Sequence, residues 1–219
     1  GAMVVRGGAR IVTTRLLLVR HGHTDWNLEG RYQGHADTPL NEKGREEARL
    51  VGERLKREGV DLIYSSDILR AYETAQIIAG ALGKEISTLE SLREVDTGAW
   101  TGLTWEEVKA RFPEHFREWQ ADPWRVRRLG GEFYAHLYRR SVGAARKVAE
   151  SHPERCILIV AHGGNIKSII LDALGVEEDR ALEVASRMGL DNGSISIVDY
   201  GEGGVSLRLL NDTCHLELS

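Results

Sequence analysis

Cysteine is nearly absent from this chain: Cys156 and Cys214 are the only two among 219 residues. So sparse a pair excludes a disulfide scaffold and reads as two free thiols in a reducing compartment. No apolar run is long enough to span a bilayer, and the N-terminus lacks a signal-peptide pattern. Runs of like charge are missing too. The 29 Lys and Arg stand against 33 Asp and Glu, a formal net charge of -4, without the basic stripe that nucleic acid needs or a polybasic patch for a membrane. These absences predict a cytoplasmic protein with no nucleic-acid or membrane partner. Small anionic metabolites stay open as ligands if positive charge is focused locally.

What is present is an alternation of short apolar runs and amphipathic stretches. "RLLLVR", from Arg15, has the length and apolar centre of a strand buried on both faces of a parallel sheet. Asn41 caps a helix that carries Ala48, Val51 and Leu55 on one face and stops at Gly59. "VDLIYS" is the next strand. Ala71, Ala75, Ile78 and Leu82 form the stripe of a second helix ended by Gly83, and the short strand "EISTL" follows. "CILIVA" at 156–161 and a helix ending at Gly175 repeat the unit, and "GSISIVDY" and "GVSLRLLN" form a hairpin across "GEGG".

The order predicts an α/β fold, a three-layer α/β/α sandwich on a mostly parallel sheet with an antiparallel edge strand. Residues of about 100–140 differ in texture: Trp100, Trp105, Trp119 and Trp124 gather there, a Thr104–Glu107 capping box opens a short helix, and Pro113 interrupts it. We read that stretch as a helical flap whose rings mostly pack on one another. "GAM" reads as an expression remnant and "VVRGGARIVTT" as a frayed leader, so residues 1–14 are set apart from a single domain over 15–219.

Two strands end alike. "LVRHG" delivers Arg20, His21 and Gly22, and "IVAHGG" delivers His162, Gly163 and Gly164. In an open α/β sheet ligands sit beyond the carboxyl ends of the strands, so parallel neighbours would bring both histidines to one place. Glycine lets a ligand approach the backbone, and the helix after His162 turns its N-terminal amides to the same point, which favours an anion. Arg70, near the start of the helix after "IYSSD", is within reach of that crevice, and its planar fork suits a tetrahedral anion.

With these residues the chain resembles the histidine phosphatase, or phosphoglycerate-mutase-like, superfamily. The resemblance rests on "LLLVRHGHTDWN", "RYQGHADTPLNEKGREEA", "IYSSDILRAYETA", "LREVDTGAWTGLT" and "LIVAHGGNIKSI", in family order from Arg15 to His215. It implies a metal-independent phosphatase without cofactor that works through a phosphohistidine on His21. It further implies that Arg20, Arg70 and His162 hold the phosphoryl oxygens, that Glu94 gives the proton to the leaving alcohol, and that Asn27, Gln33 and Gly163 complete the phosphate pocket. "RYQG", "GGE" at 130–132 and "NDTCHL" resemble the small phosphatase branch, including alpha-ribazole and phosphoserine phosphatases; a cofactor-dependent phosphoglycerate mutase is the alternative.

Two positions depart from the family pattern: His23 stands where Glu is common, and Phe133 follows "GGE" where Ser is common. His23 is expected to adjust the local potential without acting as nucleophile. The rival reading of "HGHTD" is an HxHxD metallohydrolase stretch with His21 and His23 as ligands and Asp25 as partner. Such a site asks for a further His where this chain has Trp26, and for later ligands that are not evident, so Asp25 is read as structural. Asn192, Ser194 and His215 are left outside the catalytic set. The edge hairpin, at 194–211, offers a surface for a homodimer.

Overall fold

The apolar periods settle into strands separated by helices through the first half of the chain. In the computed structural model, which describes residues 13–217, the elements are β1 (Thr13–Arg20), α1 (Asp25–Glu29), α2 (Glu42–Leu55), β2 (Leu62–Ser65), α3 (Leu69–Leu82) and β3 (Ile86–Thr88). They continue with α4 (Trp105–Arg111), α5 (Pro113–Ala121), α6 (Tyr134–Ser151), β4 (Cys156–Ala161), α7 (Gly163–Ala173), α8 (Glu178–Ala185), β5 (Ile195–Gly201) and β6 (Gly204–Asp212). The strands form one six-stranded sheet in the order β3-β2-β4-β1-β5-β6.

β1 to β4 are parallel, β5 runs against them, and β6 turns back antiparallel to β5, as the hairpin reading requires. Leu16 and Leu18 of β1 and Ile157 and Ile159 of β4 turn to one face, where Ala145, Val148, Ile166 and Ile169 of α6 and α7 cover them. Leu17, Val19, Leu158 and Val160 turn to the other, under Val51 and Leu55 of α2 and Ala75 and Ile78 of α3. A strand buried on both faces needs an unbroken apolar run, which is why "LLLV" and "ILIV" carry no alternation. Burying each of the Leu, Ile and Val side chains contributes about 1.5–3 kcal/mol. The α/β/α layering follows. Among the described residues no helix is long and apolar enough to cross a membrane, and both cysteines are free.

The structure departs from the sequence reading in four places. β1 takes in Thr13 and Thr14, assigned above to the leader; residues 1–12 lie outside the described residues. Pro113 does not merely interrupt a helix. It opens α5 at the first helical position, where its missing N–H is not needed. The flap is narrower than 100–140, because α6 is under way from Tyr134 and packs on the sheet. Finally, α6 and α8 were not foreseen, although both bury a distinct face, α6 through Leu137, Tyr138, Val142 and Val148 with alanines between them and α8 through Ala181 and Ala185. The flap rings do pack on one another, Trp100 against Trp119 and Trp105 against Phe116 edge to face at 5.1 and 4.6 Å.

Candidate active site

Register decides what meets at the end of the sheet. β1 and β4 are parallel neighbours with Arg20 opposite Ala161, so the next residue of each strand, His21 and His162, emerges at one level. Their rings lie 5.2 Å apart, centroid to centroid, and both side chains are buried. His21 Nδ1–H donates to the Gly22 carbonyl at 2.7 Å, which leaves the lone pair on Nε2. Burial first, then the charges of Arg70 and Arg20, hold the His21 pKa well below its ordinary value. The imidazole is therefore neutral and nucleophilic. His162 is likewise held neutral, by burial and then Arg70. Ser66 Oγ accepts from Ile68 N–H at 3.2 Å and meets His162 Nε2 at 2.9 Å. With the serine proton given to Nε2, Nδ1–H is the donor left over.

Arg70 enters from the first turn of α3. Its two terminal nitrogens donate to the Ala36 and Gly34 carbonyls at 3.0 and 2.8 Å, and burial pulls its pKa down to about 10. Arg20 donates to the Leu190 carbonyl. Each guanidinium keeps one buried nitrogen without a protein partner, Arg20 Nε and Arg70 Nε, and His162 Nδ1 is a third. An unsatisfied buried donor costs about 1–3 kcal/mol. Three of them around one neutral histidine are a set of donors that an anion could satisfy.

Arg20, His21, Gln33, Arg70, Glu94 and Gly163 line a cleft of about 380 Å³ at this point. Gln33 Oε1 accepts from Thr24 and Thr38 hydroxyls at 2.7 and 2.6 Å, which leaves its amide N–H groups for a ligand. Glu94 Oε1 accepts from Val95 N–H at 2.8 Å, and Oε2 lies 3.4 Å from Gly164 N at the start of α7. The backbone that carries it is clamped by Arg140, which donates to the Ser91, Arg93 and Glu94 carbonyls at 2.8, 2.6 and 2.9 Å while binding both oxygens of Glu132. The "GGE" glutamate thus acts through an arginine to hold the Glu94 segment.

Two predicted site residues are not on the cleft wall. His162 lies behind it, against His21. Asn27 Oδ1 accepts from Thr24 N–H at 3.0 Å and from Asn192 Nδ2 at 3.4 Å, so its oxygen caps α1. Gly22 also differs from expectation. A Cβ there would stand 2.4 Å from the Gly44 carbonyl oxygen, so its bareness admits the α2 backbone and not a ligand. A Cβ on Gly164 would stand 2.4 Å from Glu94 Oε1, and there bareness does serve the site. His23 is held by Glu47, which accepts from its Nδ1 at 2.7 Å and its backbone N–H at 2.9 Å. Asp25 is exposed and accepts from Asn41 at 3.3 Å. His21, His23 and Asp25 thus have separate surroundings, and among the described residues no group of three His, Cys, Asp or Glu could hold a metal ion.

Sequence reasoning passed over Ser66, which fixes the His162 ring, and left outside the catalytic set Asn192, whose Nδ2 donates to the His21 carbonyl at 3.0 Å. His215, also left outside the catalytic set, belongs to the packed fold. It is buried, with Nε2 at 2.8 Å from the Gly193 carbonyl.

Residues 16–213 match the Histidine phosphatase superfamily (branch 1). The chain is 38% identical over 202 residues to phosphoserine phosphatase 1 of Hydrogenobacter thermophilus, covering 92% of this chain and 94% of that one. It is 32% identical over 206 residues to the metal-independent phosphoserine phosphatase of Arabidopsis thaliana, covering 93% and 83%. Among solved structures, it is similar to the alpha-ribazole phosphatase from Shigella flexneri, with a TM-score of 0.82 and 28% identity over 90% of this chain and 96% of that one.

Proposed function

The chain belongs to the histidine phosphatase superfamily, and from that premise we infer that it is a metal-independent phosphatase, a hydrolase that cleaves the phosphomonoester of a small metabolite through a phosphohistidine. The observation that carries the reading is the ring of unpartnered buried nitrogens, Arg20 Nε, Arg70 Nε and His162 Nδ1, around a histidine whose buried ring is kept neutral. A cytoplasmic setting belongs to the same proposal and is supported by the free thiols.

In this mechanism His21 Nε2 attacks phosphorus, the bond to the ester oxygen breaks, and Glu94 gives its proton to the departing alkoxide. Arg20, Arg70, His162 Nδ1–H, the Gln33 amide and Gly163 N–H stabilise charge spread over the equatorial oxygens. Water then attacks the phosphohistidine, Glu94 takes back a proton, and the P–N bond breaks to return His21. Asn27 is assigned to holding the loop through the cap of α1, since its oxygen is already engaged.

The acid role makes the leaving group the test. Assayed in excess chelator, the wild type is expected to hydrolyse both an alkyl and an activated aryl phosphate. Glu94→Gln should then lose a factor on the order of 100 to 10,000 in kcat/KM, which reports phosphoryl transfer and not the later hydrolysis common to both esters, on the alkyl ester but less than about tenfold on the aryl ester, whose oxyanion leaves unaided. Equal losses on both esters would remove Glu94 from the acid role, and wild-type activity that vanishes in chelator and returns with zinc would contradict the metal-free reading.

A further inference from the structure

The turn that carries His21 is pinned peptide by peptide. Asn192 donates to the His21 carbonyl at 3.0 Å, and Gly22 N–H donates to Thr74 Oγ1 at 3.1 Å. On the far side, Asn41 N–H donates to the His23 carbonyl and Thr24 N–H to Asn27 Oδ1, each at 3.0 Å. Between them lies the Gly22–His23 peptide, whose two ends have unlike partners. Its carbonyl accepts from His21 Nδ1–H at 2.7 Å, and its N–H donates to Glu47 Oε2 at 2.9 Å. Of all these partners Glu47 alone is a carboxylate.

Glu47 sits where a helix ordinarily places an apolar residue. It lies on the buried face of α2 with Gly44, Ala48 and Val51 and is only 6% exposed, and a carboxylate is costly to keep there without partners. Among the described residues no lysine or arginine pairs with it; both oxygens go to His23, Oε1 accepting from the ring Nδ1–H at 2.7 Å. The backbones leave no slack around this contact. A Cβ on Gly22 would stand 2.4 Å from the Gly44 carbonyl oxygen, and one on Gly44 would stand 2.1 Å from the His23 carbonyl oxygen. α2 therefore presses on the same peptide whose N–H it holds through Glu47.

The groups run in line from the Glu47 carboxylate through the Gly22–His23 peptide to the imidazole. A carboxylate on the N–H polarises the peptide and makes its carbonyl a better acceptor. That carbonyl holds the ring as the Nδ1–H tautomer, and the bond strengthens as the ring gains positive charge during attack. A buried aspartate does this directly for the histidine of a serine hydrolase; here one peptide group stands between. Burial, Arg70 and Arg20 lower the His21 pKa, and the bond to Gly22 opposes them.

We propose that Glu47 is a positioning residue for His21: by holding the His23 N–H it fixes the Gly22 carbonyl on His21 Nδ1–H and leaves Nε2 as the attacking nitrogen. The role rests on the phosphatase reading, and it gives the His23 ring the part of steering the Glu47 carboxylate.

Two readouts test it, and one needs no turnover. In isotope-labelled protein read by nitrogen NMR, with His21→Ala to assign the signals, the His21 ring should show a protonated Nδ1 and a bare Nε2. Glu47→Ala should turn this into a mixture of both tautomers and lower kcat/KM on an alkyl phosphate by about 10- to 100-fold, the scale of losing a group that orients a functional histidine. The inhibition constant of inorganic phosphate, which reads Arg20 and Arg70, should stay within about threefold of wild type. Glu47→Gln keeps an oxygen for the His23 N–H and should return to a single tautomer and to within about fivefold of wild-type kcat/KM. Glu47→Met fills the volume without offering an acceptor and replaces the alanine variant if that one does not fold. An unchanged tautomer in the variants that lack the acceptor, or a loss in kcat/KM matched by an equal loss in phosphate affinity, overturns the positioning role. A wild type that turns over no ester overturns the phosphatase reading instead, and the tautomer comparison still decides the hold of Glu47 on His21.

Discussion

Replacing His21 with alanine is expected to lower kcat on an alkyl phosphate by a factor on the order of 10,000 to a million, the scale seen when an enzyme loses its nucleophile. Nothing near it can substitute. His162, 5.2 Å away ring to ring, has its Nε2 tied to Ser66 and is oriented as a donor. His23 is held by Glu47. The substitution removes one hydrogen bond, to the Gly22 carbonyl, and leaves the sheet contacts of β1 in place, so thermal unfolding should still be cooperative. A residual rate within about a hundredfold of wild type, in a folded variant, would mean that His21 is not the attacking group.

Arg70→Ala is expected to cost a factor on the order of 1,000 in kcat/KM, because it removes a preorganised donor from the developing phosphoryl charge. A second signature follows from electrostatics. Arg70 is, after burial, the largest influence that lowers the His21 pKa. Without it, protonation of His21 becomes easier and its pKa rises. Attack needs the neutral ring, so the acid limb of the pH–rate profile should move to higher pH. Arg70→Lys keeps a charge but loses the fork that binds the Gly34 and Ala36 carbonyls, and should recover the acid limb better than the rate. A limb that moves to lower pH in Arg70→Ala would contradict the assigned coupling between these two groups.

The pair of strand ends was readable because strand order and register need only two apolar runs of equal kind and the rule that ligands bind beyond them. "RHG" and "AHGG" then share a level through the Arg20–Ala161 pairing. The glycines were less readable. Gly22 looked like room for a ligand, yet its space is filled by Gly44 of α2, whose own missing Cβ would stand 2.1 Å from the His23 carbonyl oxygen. That contact joins residues far apart in sequence and leaves no local mark. Ser66 was overlooked and Asn192 was set aside for a similar reason: each touches a histidine through one hydrogen bond across the fold.

Arg128 shows the limit most clearly. Within "RVRR" it is indistinguishable from a solvated surface charge, and only the convergence of Tyr32, Trp100 and Trp119 marks it out. The aromatic stretch was legible as local packing, and the rings do pack. That the packing also encloses a cation facing the cleft depends on Tyr32, which comes from the loop after α1 and not from the flap. α6 carries Leu137, Tyr138, Val142, Ala145 and Val148 at helical spacing and was legible, but reading residues up to 140 as flap hid its first turns; α8 buries only Ala181 and Ala185.

The central claim is that phosphate passes through His21. The direct measurement is to quench the wild type in alkali during turnover, where phosphohistidine survives, and to locate the phosphoryl group by peptide mass spectrometry. The account predicts an acid-labile phosphoryl adduct on the peptide bearing His21, formed within the first turnover and absent from His21→Ala. An adduct on any other residue, or its persistence in His21→Ala, would contradict it.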